Sequence, residues 1–282
     1  MIRPFATALA ALALAAAAAV PAQARDGDVP SCYAANRMAE PVPAPRRAVF
    51  LLIDETTLLN QSLQAAAWQA MAPLVVPGTE LTVVRFSAYS QSRYTSTVFS
   101  GLVEEGVPES QRHAIGVKKM RQFEECLAGQ RGFVVKKLQA AMAQGFSAAS
   151  GDLAKSDVFA AMSDVSVSVR ASRAAQKIVL VVSDMLENST VSSFYERNGM
   201  RGIDPAAEMA RVRKAGLLGD FDNARIWVMG AGLIASDTTG KKAVYRDPIR
   251  LKALQNFWTD YFAQSKGSLV DFGTPELKQA IR

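Results

Sequence analysis

Two short runs constrain the fold more than any other feature: Ala48–Ile53 (AVFLLI) and Lys177–Val182 (KIVLVV). Both are continuously apolar once begun, where a half-exposed strand would alternate. Strands of this kind are buried on both faces, in sheets covered by helices on either side. The rest of the chain supplies such helices. A helix is predicted over Ser62–Met71, stopped by Pro73 and Pro77-Gly78. A second runs over Ser156–Arg173, where Val158, Met162, Val165 and Val169 step by four, three and four. Further helices are expected at Val117–Leu127, Gly132–Gln144, Pro205–Leu218 and Pro248–Gln264. Strands are expected at Leu81–Phe86, Arg225–Met229 and Ser268–Phe272, and an edge strand at Tyr94–Leu102, whose polar alternation suits antiparallel pairing with its predecessor. Right-handed crossovers then give a single doubly wound, mostly parallel α/β sheet of Rossmann-like type over residues 48–282, with one antiparallel edge strand.

The N-terminus carries a different signal. Arg3 precedes an apolar run from Ala8 to Val20, Pro21 breaks it, and Ala22-Gln23-Ala24 offers small residues for a peptidase. Residues 1–24 read as a cleaved signal peptide, and the run is too short and Ala-rich for a bilayer span. The protein is therefore expected to be periplasmic or secreted. Residues 25–47, with four prolines from Pro30 to Pro45, are predicted to form an extended leader. No later segment is apolar enough to span a membrane. The net charge of +6 is scattered in small Lys and Arg pairs without interleaved aromatics, which argues against nucleic acid as a partner. Two cysteines, Cys32 and Cys126, suggest one disulfide in an oxidising compartment, the alternative being two buried thiols. A lone His113 supports neither a Ser-His-Asp triad nor a zinc cluster.

In doubly wound sheets, ligands bind beyond the carboxyl ends of the strands where strand order reverses. Two predicted strands end there in aspartates, Asp54 and Asp184, flanked by hydroxyls at Thr56, Ser156 and Ser183. This all-oxygen set suits a hard divalent cation. The plainer reading is that both aspartates accept hydrogen bonds from neighbouring backbone. Gly230-Ala231-Gly232 reads as a tight turn at a strand end, and Gly219-Asp220-Phe221-Asp222 as an ordinary turn.

The order of elements over residues 46–281 resembles the von Willebrand factor A-type fold. That family writes a metal-ion-dependent adhesion site as Asp-x-Ser-x-Ser after the first strand, a Thr before a later helix, and an Asp ending the fourth strand. Asp54, Thr56, Ser156 and Asp184 match four of these positions; Leu58 stands where the second Ser belongs, and Met185 where a Gly often follows the last Asp. The resemblance implies a binding module without enzymatic activity. Asp54, Thr56, Ser156 and Asp184 would hold Mg²⁺ or Ca²⁺, and an acidic residue of a partner protein would complete the coordination. Glu55 and Asp157 lie in the same loops and would substitute for the lost hydroxyl or meet the partner. The stretch Glu187–Glu196, with Phe194 and Tyr195, would frame the contact, or else those two rings tuck against the sheet rim. The Leu58 departure keeps a metal-free scaffold in view. A fainter similarity of Phe50–Leu59 to haloacid dehalogenase-like phosphatases would make Asp54 a nucleophile, Ser87 a phosphate ligand and Asp184 a Mg²⁺ ligand.

Overall fold

The computed structural model describes residues 28–39, 44–90, 93–149, 156–196, 199–234 and 247–282. The expected signal peptide, residues 1–24, lies outside the described residues.

A six-stranded sheet forms the centre. Strand β1 (Arg47–Asp54) pairs in parallel with β2 (Thr79–Ser90) on one side and with β4 (Gln176–Val182) on the other. Beyond β2 lies β3 (Arg93–Val103), antiparallel to it. Beyond β4 lie β7 (Arg225–Met229) and β8 (Ser268–Phe272), both parallel, so the order is β3-β2-β1-β4-β7-β8. This is the mostly parallel α/β sheet with one antiparallel edge strand expected from the sequence. Two two-residue strands, β5 (Tyr195–Glu196) and β6 (Gly199–Met200), pair separately within the segment that follows β4.

The continuous apolar runs serve both faces. From β1, Val49, Leu51 and Ile53 face a layer built by α2 (Gln61–Met71) and α4 (Val117–Ser147); they meet Ala67, Met71, Val134, Leu138 and Met142. Phe50 and Leu52 face the other layer, formed by α5 (Val158–Ala171), α6 (Pro205–Ala215) and α7 (Pro248–Gln264). That second layer is aromatic: Phe159, Phe194, Phe257, Trp258 and Tyr261 meet at ring-centroid distances of 5.1 to 6.4 Å.

Helix α4 departs from the expected pair of shorter helices. Gly129 falls between the two expected helices and Gly132 begins the second, yet both lie on the exposed side of one continuous helix with nothing within 4 Å. Their cost, roughly 1 kcal/mol each, is outweighed by a continuous buried stripe through Phe123, Gln130, Val134, Leu138, Ala141 and Gly145. Gly145 is the one position of α4 where glycine is needed for space: a Cβ there would stand 2.7 Å from Ile53 Cδ1, so the helix lies directly on β1 beside its terminal aspartate.

The leader is not wholly extended. Residues Cys32–Ala35 form a short helix, α1, capped by the Ser31 hydroxyl, and a disulfide joins Cys32 to Cys126 on α4. The open choice between thiols and a bond is thus resolved. Glu104 and Gln130 fasten the same segment: Cys32 N donates to Glu104 Oε2 at 2.7 Å, and Gln130 Nε2 to the Pro30 carbonyl at 2.9 Å. Just before it, Asp28 N donates to the Ser100 carbonyl at 2.8 Å along the edge of β3. Among the described residues no helix is long and apolar enough to cross a membrane. His113 is exposed.

Candidate functional site

Strand order reverses between β1 and β4, the place beyond the carboxyl ends where sheets of this kind collect ligands. Asp54 ends β1, and Ser183-Asp184 follows β4 immediately. Ser156 arrives from a third direction, two residues before α5. These residues are far apart in sequence and converge on one carboxylate.

Asp54 is 1% exposed, and both its oxygens accept from protein donors. Oδ1 takes Thr56 N at 2.9 Å and the Thr56 hydroxyl at 2.6 Å; Oδ2 takes the Ser183 hydroxyl at 2.7 Å. The Ser156 hydroxyl lies between them, 3.4 and 3.3 Å from the two oxygens. Burial pushes the Asp54 carboxyl upward, against these donors, which favour its charged form.

Asp184 is held as firmly. Its amide donates to Thr57 Oγ1 at 3.0 Å, its carbonyl accepts from Gly232 N at 2.8 Å, and Oδ1 accepts from Leu186 N at 2.8 Å. Oδ2 accepts the Tyr195 hydroxyl at 2.6 Å. Burial, and then the charge of Asp54, push Asp184 up to about 8. Burial and the same carboxylates push the Tyr195 phenol upward as well. Among the described residues neither aspartate forms an ion pair with a Lys or Arg. Gly230-Ala231-Gly232 makes the tight turn expected of it: Gly230 and Gly232 have φ of 98° and 71°, and a Cβ on Gly230 would stand 3.0 Å from the Ser183 carbonyl. The acids of the 219–222 turn are engaged by Lys266, Arg170 and Lys177.

Met185 follows Asp184 directly, and its φ of 60° is of the kind that favours glycine. It is held there by its amide on Ser183 Oγ at 2.9 Å and by Trp258 Nε1 on its carbonyl at 2.9 Å. Its side chain is fully buried in the aromatic layer.

The structure therefore brings Asp54, Thr56, Ser156 and Asp184 together beyond the carboxyl ends of β1 and β4. The partner-facing expectations fare differently. Phe194, read either as a contact residue or as a ring tucked against the sheet, is wholly buried and packs edge-on against Phe159 and Phe257, because the segment after β4 folds inward over the aromatic layer. Glu55 pairs with Arg85 at 2.9 Å, and Asp157 caps α5 by accepting from Ala160 N at 3.1 Å, so both already have partners inside the chain. Tyr195 is half-buried, turned onto Asp184. Ser87, read as following the second strand, lies within β2, which runs on to Ser90.

Residues 187–204 are fastened from inside. Glu208 on α6 accepts the Ser192 hydroxyl at 2.7 Å, Arg201 Nη2 at 2.6 Å and Arg211 Nη1 at 2.7 Å. Burial opposes ionisation of Glu208, but the serine and the two guanidiniums outweigh it and hold the carboxyl below its usual range. Glu187 is completely buried; its Oε2 accepts Phe159 N at 2.9 Å at the start of α5, while Oε1 has no hydrogen-bond partner among the described residues. Burial pushes it up to about 8. Nothing in the sequence marks Glu187 as buried, since an acid after a strand-end aspartate is an ordinary loop residue.

The donor set fits the chemistry of a hard cation in part. Thr56 and Ser156 donate their hydrogens to Asp54, which leaves lone pairs on both hydroxyl oxygens. Asp184 is the second carboxylate, while Leu58, half-buried, contributes no oxygen. Among the described residues there is no group of three or more His, Cys, Asp or Glu side chains placed to hold a metal ion.

The sequence matches no family model and none of the curated proteins. Among solved structures, similarity extends to an aerotolerance-related membrane protein from Bacteroides fragilis, at a TM-score of 0.34 and 14% identity, covering 80% of this chain and 91% of that one. The pilus adhesin SpaC from Lactobacillus rhamnosus, in its open conformation, aligns at a TM-score of 0.37 and 8% identity, over 82% of this chain and 28% of the adhesin. The PilB minor pilin from Streptococcus sanguinis aligns at 0.32 and 10% identity, over 81% and 63%.

Proposed function

We propose that this chain is a non-enzymatic protein-binding module of an oxidising compartment. It engages a partner at the carboxyl end of its sheet through a divalent cation, Mg²⁺ or Ca²⁺, at Asp54, Thr56, Ser156 and Asp184. The observation that carries the reading is the pair of buried aspartates, close enough for the charge of Asp54 to act on Asp184 and, among the described residues, without an ion-paired basic residue to compensate them. Two buried carboxylates without a counter-charge are strongly disfavoured as anions. They must hold protons or share a cation, and surrounding hydroxyls are ligands a hard cation accepts. When bound, the ion would supply a positive centre that completes its shell with an acidic side chain of the partner. The Cys32–Cys126 disulfide fits a periplasmic or secreted protein.

A metal-free scaffold is the second reading. It is favoured by the Tyr195 hydroxyl on Asp184, which satisfies that carboxylate from within. The two differ in their response to chelation. Under the first, immobilised protein retains a specific partner from cell-envelope extract in Mg²⁺, loses it in EDTA, and loses it on Asp54→Asn substitution with a cooperative melt preserved. Retention unchanged by EDTA and by the substitution would discard the cation reading.

A further inference from the structure

Tyr195 differs from every other donor at the aspartate pair. Thr56, Ser156, Ser183 and Leu186 flank β1, β4 or α5 and are fixed by those elements. Tyr195 reaches in from β5, eleven residues beyond Asp184, and places its hydroxyl 2.6 Å from Oδ2. The backbone around it is held independently of that bond. Phe194 N donates to the Glu187 carbonyl at 2.7 Å, Arg201 N to the Phe194 carbonyl at 2.9 Å, and Tyr195 pairs with Met200. The adjoining Phe194 ring is locked in the aromatic layer, and the Arg201 guanidinium lies 5.7 Å from its centre. The half-buried phenol can therefore leave Asp184 by rotation of its own side chain, with the segment still anchored.

From this geometry we propose that Tyr195 is an internal stand-in for the ligand. Its hydroxyl holds the Asp184 oxygen that the coordination shell of a cation takes in the binding-competent state, and it swings aside when the cation and the partner's acidic side chain arrive. The proposal rests on the cation reading above. The exchange leaves no oxygen unpaired: the phenol O–H occupies a lone pair of Asp184 Oδ2, and its departure would leave that lone pair to the cation. It also gives Tyr195 a part that composition alone did not assign, as a competitor for the site and not as a contact on its rim.

Free Mn²⁺ measured by electron paramagnetic resonance, titrated against the full disulfide-bonded chain and its Tyr195→Phe and Tyr195→Leu variants, tests this. With the competing hydroxyl removed, both variants are expected to bind Mn²⁺ at least tenfold more tightly, about 1.4 kcal/mol. Mn²⁺ should also perturb the near-ultraviolet tyrosine signal of the parent chain, and the part due to Tyr195 should be missing from Tyr195→Phe. Equal or weaker binding by variants that melt cooperatively would overturn the stand-in role while leaving the cation reading in place. No Mn²⁺ binding by parent or variants would overturn both.

Discussion

Replacing Asp184 by Asn should flatten the pH dependence of stability in the metal-free protein. The folded chain holds Asp184 up to about 8, chiefly by burial, against about 3.9 for an unfolded aspartate. Between these values the folded state binds the proton and the unfolded state does not. Stability then falls as pH rises, by at most about 1.4 kcal/mol per pH unit for this group. From pH 5.0 to 7.0 the ceiling is about 3 kcal/mol for Asp184, and Glu187, also raised to about 8, adds a slope of the same sign. Glu208, held below its usual range, acts in the opposite sense, losing its contribution as pH falls through its folded value, and so leaves this window alone. In the Asp184→Asn chain the carboxamide oxygen would accept from Leu186 N as before, and the carboxamide nitrogen would donate to the Tyr195 oxygen, so the hydrogen bonds survive without a charge. Urea unfolding in EDTA at pH 5.0, 6.0, 7.0 and 7.5 measures both proteins. The Asp184→Asn chain should match the parent near pH 5 and exceed it by about 2 kcal/mol or more at pH 7.5. Curves that run parallel, offset by a constant, would show that Asp184 is not held protonated and would refute the reasoning.

Three further outcomes follow from the packing. Phe194→Ala should cost about 3–5 kcal/mol in urea unfolding, because it opens a cavity among Phe159, Phe257 and Trp258; a loss under about 1 kcal/mol would return Phe194 to the surface. Opening the Cys32–Cys126 bond, which spans 94 residues, should lower stability by about 2–5 kcal/mol, read as a drop in Tm with dithiothreitol that a Cys32→Ser, Cys126→Ser double variant does not show. Arg201→Met should cost about 2–3 kcal/mol by leaving buried Glu208 with Arg211 as its one guanidinium beside the Ser192 hydroxyl, and Glu208→Gln in that background should recover part of the loss.

The fold was legible where burial on both faces leaves a plain mark. The runs at Ala48–Ile53 and Lys177–Val182 specify central strands, and the spacing from Val158 to Val169 specifies α5. Helix α4 was legible only in pieces, since glycine reads as an interruption until the sheet beneath is known to hold the helix straight. At the site, Asp54, Thr56, Ser156 and Asp184 could be chosen because strand ends beside an order reversal collect ligands in this kind of sheet. The destination of the segment after β4 could not. Its serines and acids look solvated, but Ser192 serves Glu208, Glu187 is enclosed at the start of α5, and Phe194 completes an aromatic layer contributed by distant helices. Side-chain patterns report which face of an element is apolar; they do not report that a polar segment will find its hydrogen-bond partners inside.

The central claim is that the Asp54–Asp184 pair takes a cation. Calorimetric titration of the native chain with Mg²⁺, paired with thermal melts in Mg²⁺ and in EDTA, tests it most directly. The account predicts saturable one-to-one binding that Asp54→Asn abolishes, with about 2.7 kcal/mol of added stability at a hundredfold excess over Kd. An absence of binding heat, with melts indifferent to EDTA, would contradict it and leave the aspartates as a protonated, tyrosine-sealed element of a metal-free scaffold.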